Sequence, residues 1–157
     1  MALSFNNNPS LNQEEACQLL IEAFHRSPIQ KAFGMSLRYD KDFHAIFDLP
    51  YNPNFNHGMG GIHGGVFATL LDNAGWFTAA PHYGFWVVTV EFSTRLLEPV
   101  IGEDLRAAGR MIRSGKTLAV CEMEVKAAKD RLVAVGSGTF AVTSKPLNLL
   151  KSSVSAI

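Results

Sequence analysis

The sequence predicts an α+β domain, an antiparallel sheet of five to six strands wrapped around one long central helix, with an extra helix at the N-terminal side. Three observations predict it. The segment Val66 to Ala80 is mostly apolar, too long for an ordinary strand, and bracketed by glycines before it and Pro81 after it, which marks a helix. On both sides of that segment the hydrophobic period is two, the signature of half-buried strands. Short turn signals separate most of those stretches, so neighbours meet antiparallel and need something to bury their apolar face, which the one long helix supplies.

Residues 1–9 form a polar leader, expected to be disordered. Ser10 or Asn12 then caps a helix, with Gln13 or Glu15 three residues later in capping-box position. Ala16, Leu19, Leu20, Ala23 and Phe24 give that helix one apolar stripe, and Pro28 ends it or starts a short second turn. The stretches MSLRYD and FHAIFDL read as an antiparallel pair, followed by the turn-rich loop YNPNFNHGMGG. Pro81 disfavours helical geometry at Ala80, so the central helix is expected to stop there or one residue earlier. Phe85 to Leu97 is a long strand, with Trp86, Val88, Val90 and Phe92 on one face and Thr89, Glu91, Ser93 and Arg95 on the other. Asp104 to Arg113, Thr117 to Ala127 and Leu132 to Thr143 complete the sheet through turns at Ser114-Gly115-Lys116 and Lys129-Asp130. Gly136 and Gly138 share a strand face, which signals close approach of a backbone or a ligand. One domain over 10–144 follows, with a loosely ordered tail over 145–157.

Composition excludes several classes of function. The charges cancel, 14 basic against 14 acidic, so no field draws the chain to nucleic acid or to an anionic membrane. Cys17 and Cys121 lack metal-type spacing and do not form a disulfide framework. No apolar run is long enough to span a bilayer and MALSFNNNPS is not a signal peptide, so a cytoplasmic location is expected. His57 and His63 lack a third ligand at metal spacing, and neither a metal nor a cofactor is expected.

The central helix carries one anomaly. Its apolar side chains spread so widely that it should be buried nearly all round, yet Asp72 sits on a ridge of small residues formed by Ala68, Gly75 and Ala79, with Thr69, Asn73 and Trp76 alongside. A carboxylate there must be hydrogen-bonded, paired or left wet by a cavity, so it is either a structural link across an interface or a working acid–base group. The other end of the helix favours chemistry, because the free backbone N–H groups of Gly64, Gly65 and Val66 and the helix dipole suit an oxyanion. Asp72 lies seven or eight residues past those amides, roughly 10 to 12 Å at 1.5 Å per residue. A reacting carbonyl needs both within about 3 Å, so one helix cannot present both to it. Two antiparallel copies about a two-fold axis can.

The pattern His63-Gly64-Gly65-Val66, with Asp72 nine residues after the histidine and small residues following, resembles the hotdog-fold acyl-CoA thioesterases, in particular their phenylacetic-acid-pathway (PaaI-like) branch. The resemblance covers about Phe33 to Thr143. It implies hydrolysis of an acyl-CoA to free acid and coenzyme A. The amides of Gly65 and Gly64 would hold the oxyanion, and Asp72 of the partner subunit would serve as general base or nucleophile. Thr89 matches a position where relatives carry a hydroxyl that orients the attacking water, although Thr is also simply a good strand former. The asparagine that relatives place six residues before the motif histidine is replaced here by His57, with Asn56 adjacent. Either His57 substitutes as donor, Asn56 shifts in, or the loop is built differently. His63 reads as a loop-fixing hydrogen-bonding residue rather than a base. Arg110, Arg113 and Lys116 either hold coenzyme A phosphates or are a solvated surface, and Arg95 is a further cation of the same kind. The expected assembly is a homodimer at least, or a homotetramer if the sheets supply a second interface. The alternatives are a hydroxyacyl-thioester hydratase or dehydratase and a noncatalytic acyl-CoA-binding protein. Phe55, Trp76, Phe77, Phe85 and Trp86 line either an acyl pocket or plain core, and the acyl group is not specified by the sequence.

Overall fold

The structure is a computed structural model that describes residues 11–150. The expected leader over 1–9, Ser10 as a cap, and the end of the expected tail lie outside the described residues. Helix α1 (Gln13–His25) starts on Asn12 with a complete capping box, the Asn12 side chain accepting from the Glu15 N–H and Glu15 reaching back to the Asn12 N–H. Pro28 opens a short second helix, α2 (Pro28–Phe33), capped by Ser27.

Six strands form one antiparallel sheet: β1 (Ser36–Tyr39), β2 (Ala45–Leu49), β3 (Phe85–Leu96), β4 (Leu105–Ser114), β5 (Leu118–Ala127) and β6 (Arg131–Pro146). Their spatial order is β1-β2-β4-β5-β6-β3, so β3 leaves the central helix and returns to the far edge of the sheet. The central helix α3 (Gly64–Tyr83) lies across the sheet and packs on β2 through β6. This is the hotdog arrangement. Strand β6 runs past the expected end of the domain at 144, and Leu147 beyond it is buried with its N–H donated to the Gly84 carbonyl at 3.0 Å.

The helix sits close to the sheet because glycine lines the contact. A Cβ on Gly109 of β4 would lie 2.2 Å from the Ala74 carbonyl oxygen and 2.5 Å from Thr78 Oγ1. The expected close approach at Gly136 is met by the β3 backbone, with the Ser93 oxygen 2.5 Å from where a Cβ would stand. Helix α1 covers the other side of α3, where Phe24, Phe47 and Phe77 meet edge to face with ring centroids 5.1 to 5.4 Å apart.

Two expectations are corrected. Helix α3 does not stop at Ala80 but passes through Pro81 to Tyr83 and ends on Gly84, whose φ is +68°. Pro81 has no N–H to give to the Phe77 carbonyl. The Tyr39 hydroxyl gives one instead, at 3.0 Å, so the proline is accommodated from β1. The regular two-residue alternation of β3 also fails, because its pairing with β6 shifts between Phe85 and Val87 and again between Thr89 and Glu91. Val87 and Thr89 turn toward the helix, and after the second shift Phe92 does so, with its Cβ beside Gly138 and Phe140.

Tyr39→Phe should therefore cost about 1–3 kcal/mol, the penalty for an orphaned buried carbonyl. In denaturant melts at fixed protein concentration, adding Pro81→Ala restores an N–H at that position and should recover part of the loss. Strictly additive effects of the two substitutions would contradict this account.

Candidate active site

Asp72 stands two turns into α3 and is half-buried. The Thr89 hydroxyl donates to its Oδ1 at 2.9 Å, so the expected pairing of these residues is present in space. Burial raises the Asp72 carboxyl above its ordinary value, and the Thr89 hydrogen bond partly opposes that rise. No cation is within ion-pair range of it among the described residues. Its helix neighbours are otherwise engaged: Thr69 Oγ1 donates to the Gly65 carbonyl at 2.9 Å, and Asn73 Nδ2 to the Thr69 carbonyl at 2.8 Å. Ala68, Thr69, Asp72, Asn73 and Trp76 are all half-buried and make one open stripe along the helix.

At the helix start His63 is the N-cap, as a loop-fixing residue should be, and its Nδ1 accepts from the Gly65 N–H at 2.9 Å. The Gly65 amide is thus engaged in the protomer, and the Val66 N–H donates to the His63 carbonyl at 2.9 Å, a correction to the reading of both as free donors. The Gly64 N–H has no acceptor among the described residues. A Cβ on Gly64 would lie 2.9 Å from Leu96 Cδ1, so β3 reaches the helix start as well as Asp72. The loop is held by hydrogen bonds from the Ile62 N–H to the Val100 carbonyl and from the His63 N–H to the Phe55 carbonyl, both 2.9 Å.

His57 and Asn56 each use one side-chain atom within their own loop. His57 Nδ1 accepts from the Met59 N–H at 3.1 Å, closing its own loop. Asn56 Nδ2 donates to the Tyr51 hydroxyl at 2.9 Å, while its Oδ1 is buried without a partner among the described residues. With its Nδ1 accepting, the His57 ring keeps its Nε2–H as a donor. Arg110 is exposed and paired with Glu122 across the outer face of the sheet, in keeping with a solvated surface. Arg113 and Lys116 are exposed at the β4–β5 turn. The Tyr83 hydroxyl donates to the Gly115 carbonyl at 2.9 Å, placing that turn at the C-terminal end of α3, roughly 16 Å along the axis from Asp72.

Other groups offer less. Burial pushes both thiols, Cys17 and Cys121, up to about 12, so neither supplies a thiolate near neutral pH. Asp40, Asp42 and His44 cluster on the β1–β2 turn, where Asp40 Oδ1 accepts from the Asp42 and His44 N–H groups and so holds the turn. Grooves of about 570 Å³ on the outer sheet face, beside Arg95 and Glu124, and about 840 Å³ along α1 do not contain Asp72. Sequence reasoning missed both shifts in β3, because Val88, Val90 and Phe92 alternate as a regular strand would. It also missed the Trp76 Nε1–H donated to the Val87 carbonyl at 2.8 Å.

The thioesterase superfamily model matches residues 59–134, the span from the glycine loop into β6. A Halobacterium salinarum protein whose name assigns it provisionally to the esterases is 34% identical over 122 residues, covering 69% of this chain and 80% of its own length. The chain belongs to the thioesterase superfamily. It is a hydrolase of the hotdog fold. The medium/long-chain acyl-CoA thioesterase YigI of Escherichia coli is 28% identical over 151 residues, covering 84% of this chain and 97% of that one. The PaaI protein of E. coli shares the fold with a TM-score of 0.78 at 20% identity, over 87% of this chain and 99% of that one. A Bacillus halodurans protein solved with CoA superposes with a TM-score of 0.70 at 26% identity, over 85% of this chain and 96% of its own.

The raised Asp72 carboxyl has a consequence for stability. A folded-state value above the unfolded one favours the native state fully below the unfolded value, near 3.9, and that contribution is lost as pH rises through the folded value. Asp72→Asn should therefore melt above the wild type near neutral pH, and the gap should close as the pH falls toward about 4. A variant that melts lower at neutral pH would show that the carboxylate is stabilised by a group outside the described protomer.

Proposed function

We propose that this thioesterase hydrolyses acyl-CoA in a site assembled between two copies of the chain. The observation that carries the reading is the Asp72–Thr89 pair on the open stripe of α3, in a helix whose own start lies too far away to serve the same carbonyl. The acyl-CoA substrate is supported by the likeness to YigI and by the CoA in the Bacillus halodurans structure.

The edge of the sheet supports a dimer. Strand β3 is twelve residues long, pairs on one side only, and exposes Val88, Val90, Phe92 and Leu96. A long apolar edge of that kind is a template for a second strand. A two-fold axis there brings the two α3 helices alongside each other, antiparallel, with the start of each facing Asp72 of the other. A homotetramer would need a further interface on the outer sheet faces.

In that site the Gly64 N–H, with the Gly65 N–H shared between His63 and the ligand, polarises the thioester carbonyl. Thr89 donates to Asp72 and accepts from a water. Asp72 takes a proton from that water as its oxygen attacks the carbonyl carbon, and the tetrahedral oxyanion rests on the amides. Collapse breaks the C–S bond, and the thiolate receives the proton from Asp72. As a nucleophile Asp72 would instead form a mixed anhydride that water then opens. Burial suits the first role, because a base whose value is raised toward the working pH is the better proton acceptor. We infer that Arg113 and Lys116 meet the phosphate end of coenzyme A and that the reaction is cytoplasmic. No described helix is long and apolar enough to cross a membrane.

Thiol release from short, medium, long and aryl acyl-CoAs tests this directly. Asp72→Asn should lower kcat/KM at least about a hundredfold, or about 2.7 kcal/mol of barrier, with the dimer intact. Turnover should fall on the acid side through a pKa above the ordinary carboxylate value, and Thr89→Val, which removes the opposing hydrogen bond, should move that limb upward. No turnover on any thioester by a folded dimer would sink the reading. Mixing Asp72→Asn subunits with subunits altered at Gly64 should restore part of the activity, since one hybrid site then has both halves intact. Absence of any restoration in verified heterodimers would mean that each site belongs to one chain.

A further inference from the structure

We propose that Trp76 is the end wall of the acyl pocket and sets the chain-length limit of this enzyme, confining it to acyl groups that end within about one helical turn of the scissile carbonyl. The inference rests on the acyl-CoA reading above and deepens it by assigning a specificity-determining residue. Trp76 follows Asp72 by four positions, so it stands on the same helix face about 6 Å further along the axis. Both side chains reach the same short piece of β3: Asp72 accepts from Thr89, and Trp76 donates to the Val87 carbonyl at 2.8 Å.

The indole is held on three sides. Its one polar atom is committed to Val87, Phe77 packs against it at 4.7 Å, and Trp86 meets it edge-on at 4.7 Å. Trp86 stands there because the β3 pairing shifts between Phe85 and Val87. A ring fixed in this way does not swing aside for a longer chain. Trp76 is nonetheless half-buried, so part of it stays open on the stripe that carries the carboxylate. The other residues of the stripe beside Asp72 are Ala68, Thr69 and Asn73, small or polar. On that stripe an apolar acyl group therefore finds its large apolar neighbour in Trp76.

The test is the chain-length profile of the dimeric enzyme on saturated acyl-CoAs from butyryl to palmitoyl, for wild type, Trp76→Ala and Trp76→Phe. Wild-type kcat/KM should fall at least about tenfold from butyryl- to octanoyl-CoA and stay low to palmitoyl-CoA, a discrimination within reach of a rigid apolar wall. Trp76→Ala should abolish that fall and move the optimum to longer chains, and Trp76→Phe, smaller and freed from Val87, should lie between. Inhibition by a non-hydrolysable S-hexadecyl-CoA thioether should strengthen about tenfold in Trp76→Ala, a change that general damage to the site would not produce. A wild type indifferent to chain length, or a folded Trp76→Ala with the wild-type profile, overturns the proposal. Should Trp76→Ala not fold, an unchanged profile in Trp76→Phe does so. A wild type that cleaves no acyl-CoA removes the underlying reading and this inference with it, an outcome distinct from turnover that ignores residue 76.

Discussion

The closeness of α3 to the sheet governs the rest of the molecule. The Ala74 carbonyl and Thr78 hydroxyl occupy the space that a side chain on Gly109 would fill, so helix and β4 touch backbone to backbone. From that contact the sheet curls along one side of the helix, while α1 covers another through Phe24 and Phe77. One stripe is left, and it carries the carboxylate. Asp72 is neither in water nor in the core, which is why burial perturbs it without neutralising its role. A larger residue at 109 would push the helix outward, wet Asp72 and separate it from Thr89.

The edge strand does the fine positioning. The Thr89–Glu91 shift ends the inward run Val87–Thr89, and the Phe85–Val87 shift turns Trp86 toward Trp76. Two irregularities therefore bracket three residues, and those residues hold the base and the indole of α3. Shifts of this kind re-aim side chains at functional sites. Pro81 belongs to the same economy of construction: the helix keeps its length because β1 supplies the missing donor through Tyr39.

Much of this was legible in the sequence. The length and glycine–proline bracketing of Val66 to Ala80 identify the helix, and two-residue periods identify the strands and their antiparallel order. Asp72 stands out as a lone acid among small residues, and the family pattern ties Thr89 to it. The misses have physical causes. Helix termination at Ala80 follows from the local clash of proline, whereas its survival depends on Tyr39, distant in sequence. The engagement of Gly65 by His63 is a choice between partners that are all permitted by sequence. The shift at Val90 leaves no mark because Val88, Val90 and Phe92 keep an apolar residue at every second position across it. The capping box, entirely local, was by contrast readable as Ser10 or Asn12 with Gln13 or Glu15, and the structure has Asn12 with Glu15.

Half-sites and edge share one surface, and that coincidence orders the argument about assembly. A protomer alone has two defects, an unpaired apolar edge on β3 and a carboxylate whose oxyanion donors are roughly 12 Å away along the helix. Each could be remedied separately, the edge by charges or a covering loop, the site by a second acid near Gly64. Neither is complete here: Glu91 and Arg95 charge the edge strand, yet Val88 and Val90 stay apolar and exposed, and the first turn of α3 contains no acid. A single two-fold axis along β3 would answer both at once. Assembly and activity would then draw on the same contacts, so substitutions on the outward side of β3, such as at Val90, would act on turnover without touching the substrate. The burial that raises the Asp72 carboxyl is already present within one chain, so the carboxylate is poised before any partner arrives.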